Sequence, residues 1–186
     1  MELLLASQSP RRCELLQRCG FDFTVRTADV EELTSFPQLS LLPQENARRK
    51  ALKVAEKFPD ALVLGADTMI IFADQAVGKP RDLAEAAEFL RRFSGRTHEV
   101  ITGLALLCPV REIAEVWSEV SQVTFKKISD DVIAEYLDKV PVLDKAGAYA
   151  IQEHGDMIVA NHTGELENII GLPLRRLNEK LHRFLA

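Results

Sequence analysis

Arg11 and Arg12 follow the loop Ser7-Gln8-Ser9 at the start of a predicted helix. The helix macrodipole favours acids there, so a basic pair is not what the helix itself asks for. Backbone N–H groups, hydroxyls and guanidinium forks meeting at one helix end would make an anion site. Further on, the apolar run Leu62-Val63-Leu64 leads through Gly65-Ala66 to Asp67 and Thr68. An acid at the carboxyl end of a buried strand sits where open α/β sheets place their ligands. Taken alone, Asp67 reads equally well as a turn cap.

Two lysines extend the basic set. Lys50 lies at the border of a helical apolar stripe, a spacing that by itself suits a snorkelling side chain. Lys79 stands in the stiff context Gly78-Lys79-Pro80, which would suit a lysine aimed at phosphate, although a plain turn explains Gly and Pro equally well. Glu31, Glu32, Asp67 and Asp144 are the candidate acids. Bases beside acids suggest a phosphorylated substrate whose oxygens are bridged by a divalent cation, Mg²⁺ or Mn²⁺. No Walker loop and no Gly-x-Gly-x-x-Gly occurs, and the four histidines show no ligand spacing.

The elements that must position these residues follow from pattern. Leu3–Ala6 reads as a first strand, with Ser9 as N-cap and Pro10 as first residue of a helix closed by Gly20. Residues 21–26 read as a second strand and 27–42 as a loop carrying both Glu31 and Glu32. Pro43 opens a second helix with Ala47, Ala51, Val54, Ala55 and Phe58 on one face. The Asp67 strand comes next. Asp82 to Glu85 has capping-box spacing, and Ser129 caps a later helix stopped by Pro141. Two β-rich runs, 99–107 and 113–125, suggest a hairpin about Pro109. Residues 144–171 are expected to hold short strands, and Pro173 opens a terminal helix. The class is mixed α/β, in one domain over residues 1–186.

Composition narrows the function. Among 186 residues, 47% are hydrophobic and 27% charged, as in ordinary globular chains. A net charge of −5 does not suggest nucleic-acid binding, so anions must be held by a local cluster of bases. Three cysteines are too few and scattered for a disulfide framework. No apolar run approaches the roughly 20 residues of a membrane span, and a cytoplasmic location with no membrane partner is expected.

Taken together, several blocks resemble the Maf family of nucleoside triphosphate pyrophosphatases. They are Leu5-Ala6-Ser7-Gln8-Ser9-Pro10-Arg11-Arg12, Gly65-Ala66-Asp67-Thr68, Gly78-Lys79-Pro80, Ser94-Gly95-Arg96-Thr97-His98, Asp144 to Gln152, and Asn168 to Leu174. The resemblance implies a two-lobed fold similar to inosine triphosphate pyrophosphatases, with a central mixed sheet, flanking helices and a cleft between the lobes. It implies hydrolysis of a nucleoside triphosphate to monophosphate and pyrophosphate with Mg²⁺ or Mn²⁺. Asp67 would accept the proton. Ser9, Arg11, Arg12, Lys50 and Lys79 would hold the triphosphate, and Glu32, or Glu31 if the loop slips, would hold metal with Asp67. Arg11, Thr68 and Gln152 match the subgroup acting on dTTP and UTP, where an amide can pair with a pyrimidine imide edge. The family also brings an alternative, a non-catalytic regulator of septum formation or cell division acting through a partner protein, and the analogy of a homodimer.

Overall fold

The computed structural model describes residues 1–27 and 29–185. Its strands are β1 (Leu3–Leu5), β2 (Thr24–Val25), β3 (Leu62–Phe72), β4 (Gln75–Val77), β5 (Thr97–Cys108), β6 (Ile113–Phe125) and β7 (Val159–Thr163). Its helices are α1 (Pro10–Gln17), α2 (Leu42–Ala55), α3 (Leu83–Phe93), α4 (Asp130–Lys139), α5 (Gly155–Ile158), α6 (Leu166–Ile170) and α7 (Arg175–Leu185). The strands form one sheet in the order β2-β1-β3-β5-β6-β7, with β4 paired to β3. β1 is parallel to both β2 and β3, whereas β3–β4 and β6–β7 are antiparallel. The mixed sheet with helices is the expected class.

The chain divides into two compact units. One comprises residues 1–68, 102–119 and 171–186, and the other 69–101 and 120–170, so the divisions fall within β3, β5 and β6. The first unit is built on the α2 stripe. Ala47, Ala51, Val54 and Ala55 are buried against Leu4, Val63 and Ala105 from β1, β3 and β5. These side chains are small, and the backbones approach closely as a result. A Cβ on Gly65 would lie 2.2 Å from the Ala47 carbonyl oxygen, and one on Gly103 would lie 2.3 Å from the Gln44 nitrogen. Glycine is therefore required where β3 and β5 pass beneath α2. Further along this contact, Asp67 on β3 reaches the α2 side chains Asn46 and Lys50.

The second unit is richer in aromatics. Phe72, Phe93, Phe125 and Tyr149 meet edge to face, and His98 stacks on Phe93 among them, together with Leu90, Ile133 and Tyr136. Its helices begin as their sequences dictate. Asp82 accepts a hydrogen bond from the Glu85 N–H at 2.8 Å, and Ser129 accepts one from Val132. The Glu85 side chain does not close the box on Asp82. It accepts instead from the Arg81 N–H and guanidinium.

Some expectations are corrected. Ser9 stands at the N-cap position of α1, but its hydroxyl makes no capping bond. The second strand shrinks to two residues. Residues 144–171 hold a single strand, β7, along with α5, α6 and a 3₁₀ turn at Ala146–Ala148. Left-handed backbone at Gly147, Ala148 and His154 breaks any extended run there. Among the described residues, no helix is long and apolar enough to cross a membrane.

Candidate active site

Two acids of the first unit, Asp67 and Glu32, meet on Lys50. Its ammonium donates to Asp67 Oδ1 at 2.7 Å and to Glu32 Oε1 at 2.5 Å. Border spacing on α2 favoured a solvated lysine; instead the side chain is largely buried and points inward, because two carboxylates offer it charged acceptors. Of the neighbouring acids in the loop, both exposed, Glu32 is the one that pairs with Lys50. Asp67 itself is 8% exposed, and a carboxylate so far from water is costly to bury without partners such as these.

Asn46, one helical turn before Lys50, takes the other side of Asp67. Its amide nitrogen donates to Asp67 Oδ2 at 3.2 Å and to the Leu33 carbonyl at 3.1 Å, while its oxygen accepts from the Leu33 N–H at 2.8 Å. One buried side chain thus ties the loop carrying Glu32 to the carboxylate of Asp67. Sequence reading missed it. The available signal was a short amide at i−4 from Lys50, on the same helix face.

Arg12 is the second anchor. Its guanidinium donates to the Gly171 carbonyl at 2.9 Å, to Thr68 Oγ1 at 3.0 Å and to Ser7 Oγ at 3.3 Å. Burial lowers its pKa, while Asp67 and Glu32 act in the opposite direction. Thr68 Oγ1 also shares a 3.0 Å hydrogen bond with Thr102, another residue that sequence reading passed over. Arg12 and Thr68 therefore knit α1, β3, β5 and Gly171 together within this unit. Arg11 and Ser9 are half-buried at the start of α1, and the Ser9 N–H donates to Ser7 Oγ.

Lys79 and Gln152 belong to the second unit, and both are exposed. Their segments adjoin there, because the Gly147 N–H donates to the Gly78 carbonyl at 2.9 Å. Asp144 lies in the same unit and accepts from Lys145 at 2.9 Å.

Glu32 and Asp67 fit a hard divalent cation by chemistry, since their carboxylates converge on a single ammonium and offer oxygen donors. Among the described residues, no three of His, Cys, Asp and Glu gather as a metal-binding group. An ion held by these two acids would complete its shell with phosphate oxygens and water, as magnesium commonly does.

The family model described as "Maf-like protein" matches residues 2–184. A dTTP/UTP pyrophosphatase of Akkermansia muciniphila is 43% identical over 179 residues, covering 93% of this chain and 91% of the relative. One from Shouchella clausii is 40% identical, covering 97% and 94%. The solved structure of the Staphylococcus aureus Ham1 protein superposes with a TM-score of 0.60 at 16% identity, over 99% of this chain and 100% of that one. This last likeness concerns the fold.

Proposed function

The chain belongs to the Maf-like protein family, and from that premise we propose that it hydrolyses dTTP and UTP to the nucleoside monophosphate and pyrophosphate. The observation that carries the reading is the convergence of Asp67 and Glu32 on Lys50, braced by Asn46. Water adds to the α-phosphorus, the bond to the bridging oxygen breaks, and pyrophosphate leaves. Asp67 accepts the proton of the attacking water. Lys50, with three donors on a flexible stem, can exchange a carboxylate for a phosphate oxygen as substrate enters. Arg11, Arg12, Ser9 and Lys79 contribute phosphate contacts, and Arg11, Thr68 and Gln152 contribute to base selection. Glu32 and Asp67 would hold Mg²⁺ or Mn²⁺, which would supply charge neutralisation at the phosphate oxygens. Positioning and electrostatics are the main requirements of such a displacement.

A regulator acting only by binding a partner protein would not need this cluster, and the named relatives do not favour it. The test is incubation with each nucleoside triphosphate and Mg²⁺ or Mn²⁺, with the products resolved. Monophosphate and pyrophosphate are expected from dTTP and UTP. Asp67→Asn should lower kcat by about 10²-fold or more, in line with loss of a general base. Absence of turnover with every nucleotide would overturn the reading, as would release of orthophosphate in place of pyrophosphate.

A further inference from the structure

Gln152 sits at the third position of a tight turn. The Glu153 N–H donates to the Ala150 carbonyl at 3.2 Å, leaving Ile151 and Gln152 as its central residues. Exposed turns of this kind are ordinarily free to shift, but here both ends are tied into the second unit.

At the first end, the Tyr136 hydroxyl makes two bonds to the backbone of one residue. It accepts from the Ala150 N–H at 3.0 Å and donates to the Ala150 carbonyl at 3.2 Å. Tyr136 is fully buried on α4, and burial pushes its pKa up to about 12, so it keeps the proton that it donates. The preceding residue, Tyr149, shares a 2.8 Å hydrogen bond with His98 inside the aromatic core. At the other end, Lys145 is only 5% exposed. Its ammonium donates to Asp144 and to the Pro141 carbonyl, and forms a 3.7 Å ion pair with Glu153. Consecutive left-handed residues Gly147 and Ala148 lie between Lys145 and the turn, at φ +70° and +58°. Such conformations persist where the surroundings over-determine them.

We infer that Tyr136 and Lys145 are positioning residues that fix the Ala150–Glu153 turn and thereby the base selectivity exercised through Gln152. This rests on the assignment of Gln152 under the proposed function. The need for a clamp follows from the chemistry of an amide. Turned by 180°, its donor and acceptor change places, so a loose glutamine pairs with either the imide edge of thymine and uracil or the amino edge of cytosine. That rotation belongs to the side chain alone; what a backbone held at both ends fixes is the distance and direction from which the amide meets a base, and with them which base edge comes within hydrogen-bond reach.

The test compares kcat/KM for dTTP and dCTP in the full chain and in Tyr136→Phe, which removes one oxygen and keeps the ring. The dTTP:dCTP ratio should fall by roughly tenfold or more, chiefly through KM for dTTP. A ratio equal to that of the unaltered chain, or an equal loss with both nucleotides, would overturn the inference. Should Tyr136→Phe not fold, Glu153→Gln, whose side chain is partly exposed, tests the Lys145 end by the same ratio and the same two outcomes. Gln152→Ala separates the layers. An unchanged ratio there rejects the role of Gln152, whereas a lowered ratio with an unchanged clamp variant rejects the clamp alone.

Discussion

Asn46 shows how much a single short amide can organise. Its three bonds run to the Asp67 carboxylate and to both backbone groups of Leu33. Asn46→Ala would leave those groups without their partner, at a cost of about 1–3 kcal/mol. Activity should fall roughly tenfold to a hundredfold, mostly in kcat, because Asp67 and Glu32 lose their common brace. Steady-state kinetics beside a urea titration checks both numbers. His98 offers a separate test at this scale. Burial lowers its pKa from 6.5 to about 4, and among the described residues its Nδ1 has no hydrogen-bond partner. The unfolded chain takes up a proton below about 6.5, whereas the folded chain does so only near 4. The stability contributed by keeping His98 neutral is therefore present above pH 6.5 and is lost as pH falls towards 4, by up to about 3 kcal/mol. Denaturation midpoints at pH 7 and 4.5 should show a drop, and the drop should shrink in His98→Phe.

Among the elements, the contact of α2 with β3 and β5 decides whether the site forms. Alanine runs on α2 and glycines on the strands bring backbones together, and that closeness lets Asn46 and Lys50 reach Asp67. Gly65→Ala would place a methyl 2.2 Å from the Ala47 carbonyl and 2.9 Å from the Ala51 Cβ. The strand or helix must move, at a cost of about 1–3 kcal/mol. Thermal unfolding should report the loss, and kcat should fall with it. By contrast, Gly78→Ala, with nothing within 4 Å of its added methyl, should leave stability within about 0.5 kcal/mol.

At the scale of the whole molecule, charge and cluster must be kept apart. The chain carries −5 overall, yet the proposed substrate is a polyanion. Attraction must therefore come from a few bases at short range. The expected outcome is no retention of the protein on duplex DNA at physiological salt, because a chain carrying −5 overall is not drawn to that polyanion by its bulk charge. Retention there would argue against the proposed substrate class.

Elements and their ends were largely determined by the sequence itself, because they depend on neighbours a few residues apart. Pro10, Asp82 and Ser129 start helices locally, and alternating or helical apolar spacing identifies the long strands, α2 and α7. The collinear blocks likewise carried the family. Tertiary structure decided the rest. Spacing placed Lys50 at a stripe border, but only the packing of α2 on β3, with the Glu32 loop across it, turned that lysine inward. The pairing of Glu32 with Lys50, the brace from Asn46 and the hold of Arg12 on Gly171 link residues far apart in the chain. Residues 144–171 misled for a related reason. The Ala150–Glu153 turn there is held by Tyr136 and Lys145, partners that no local pattern names. A buried polar group takes whichever partner the fold brings to it, and that partner cannot be read from its immediate neighbours.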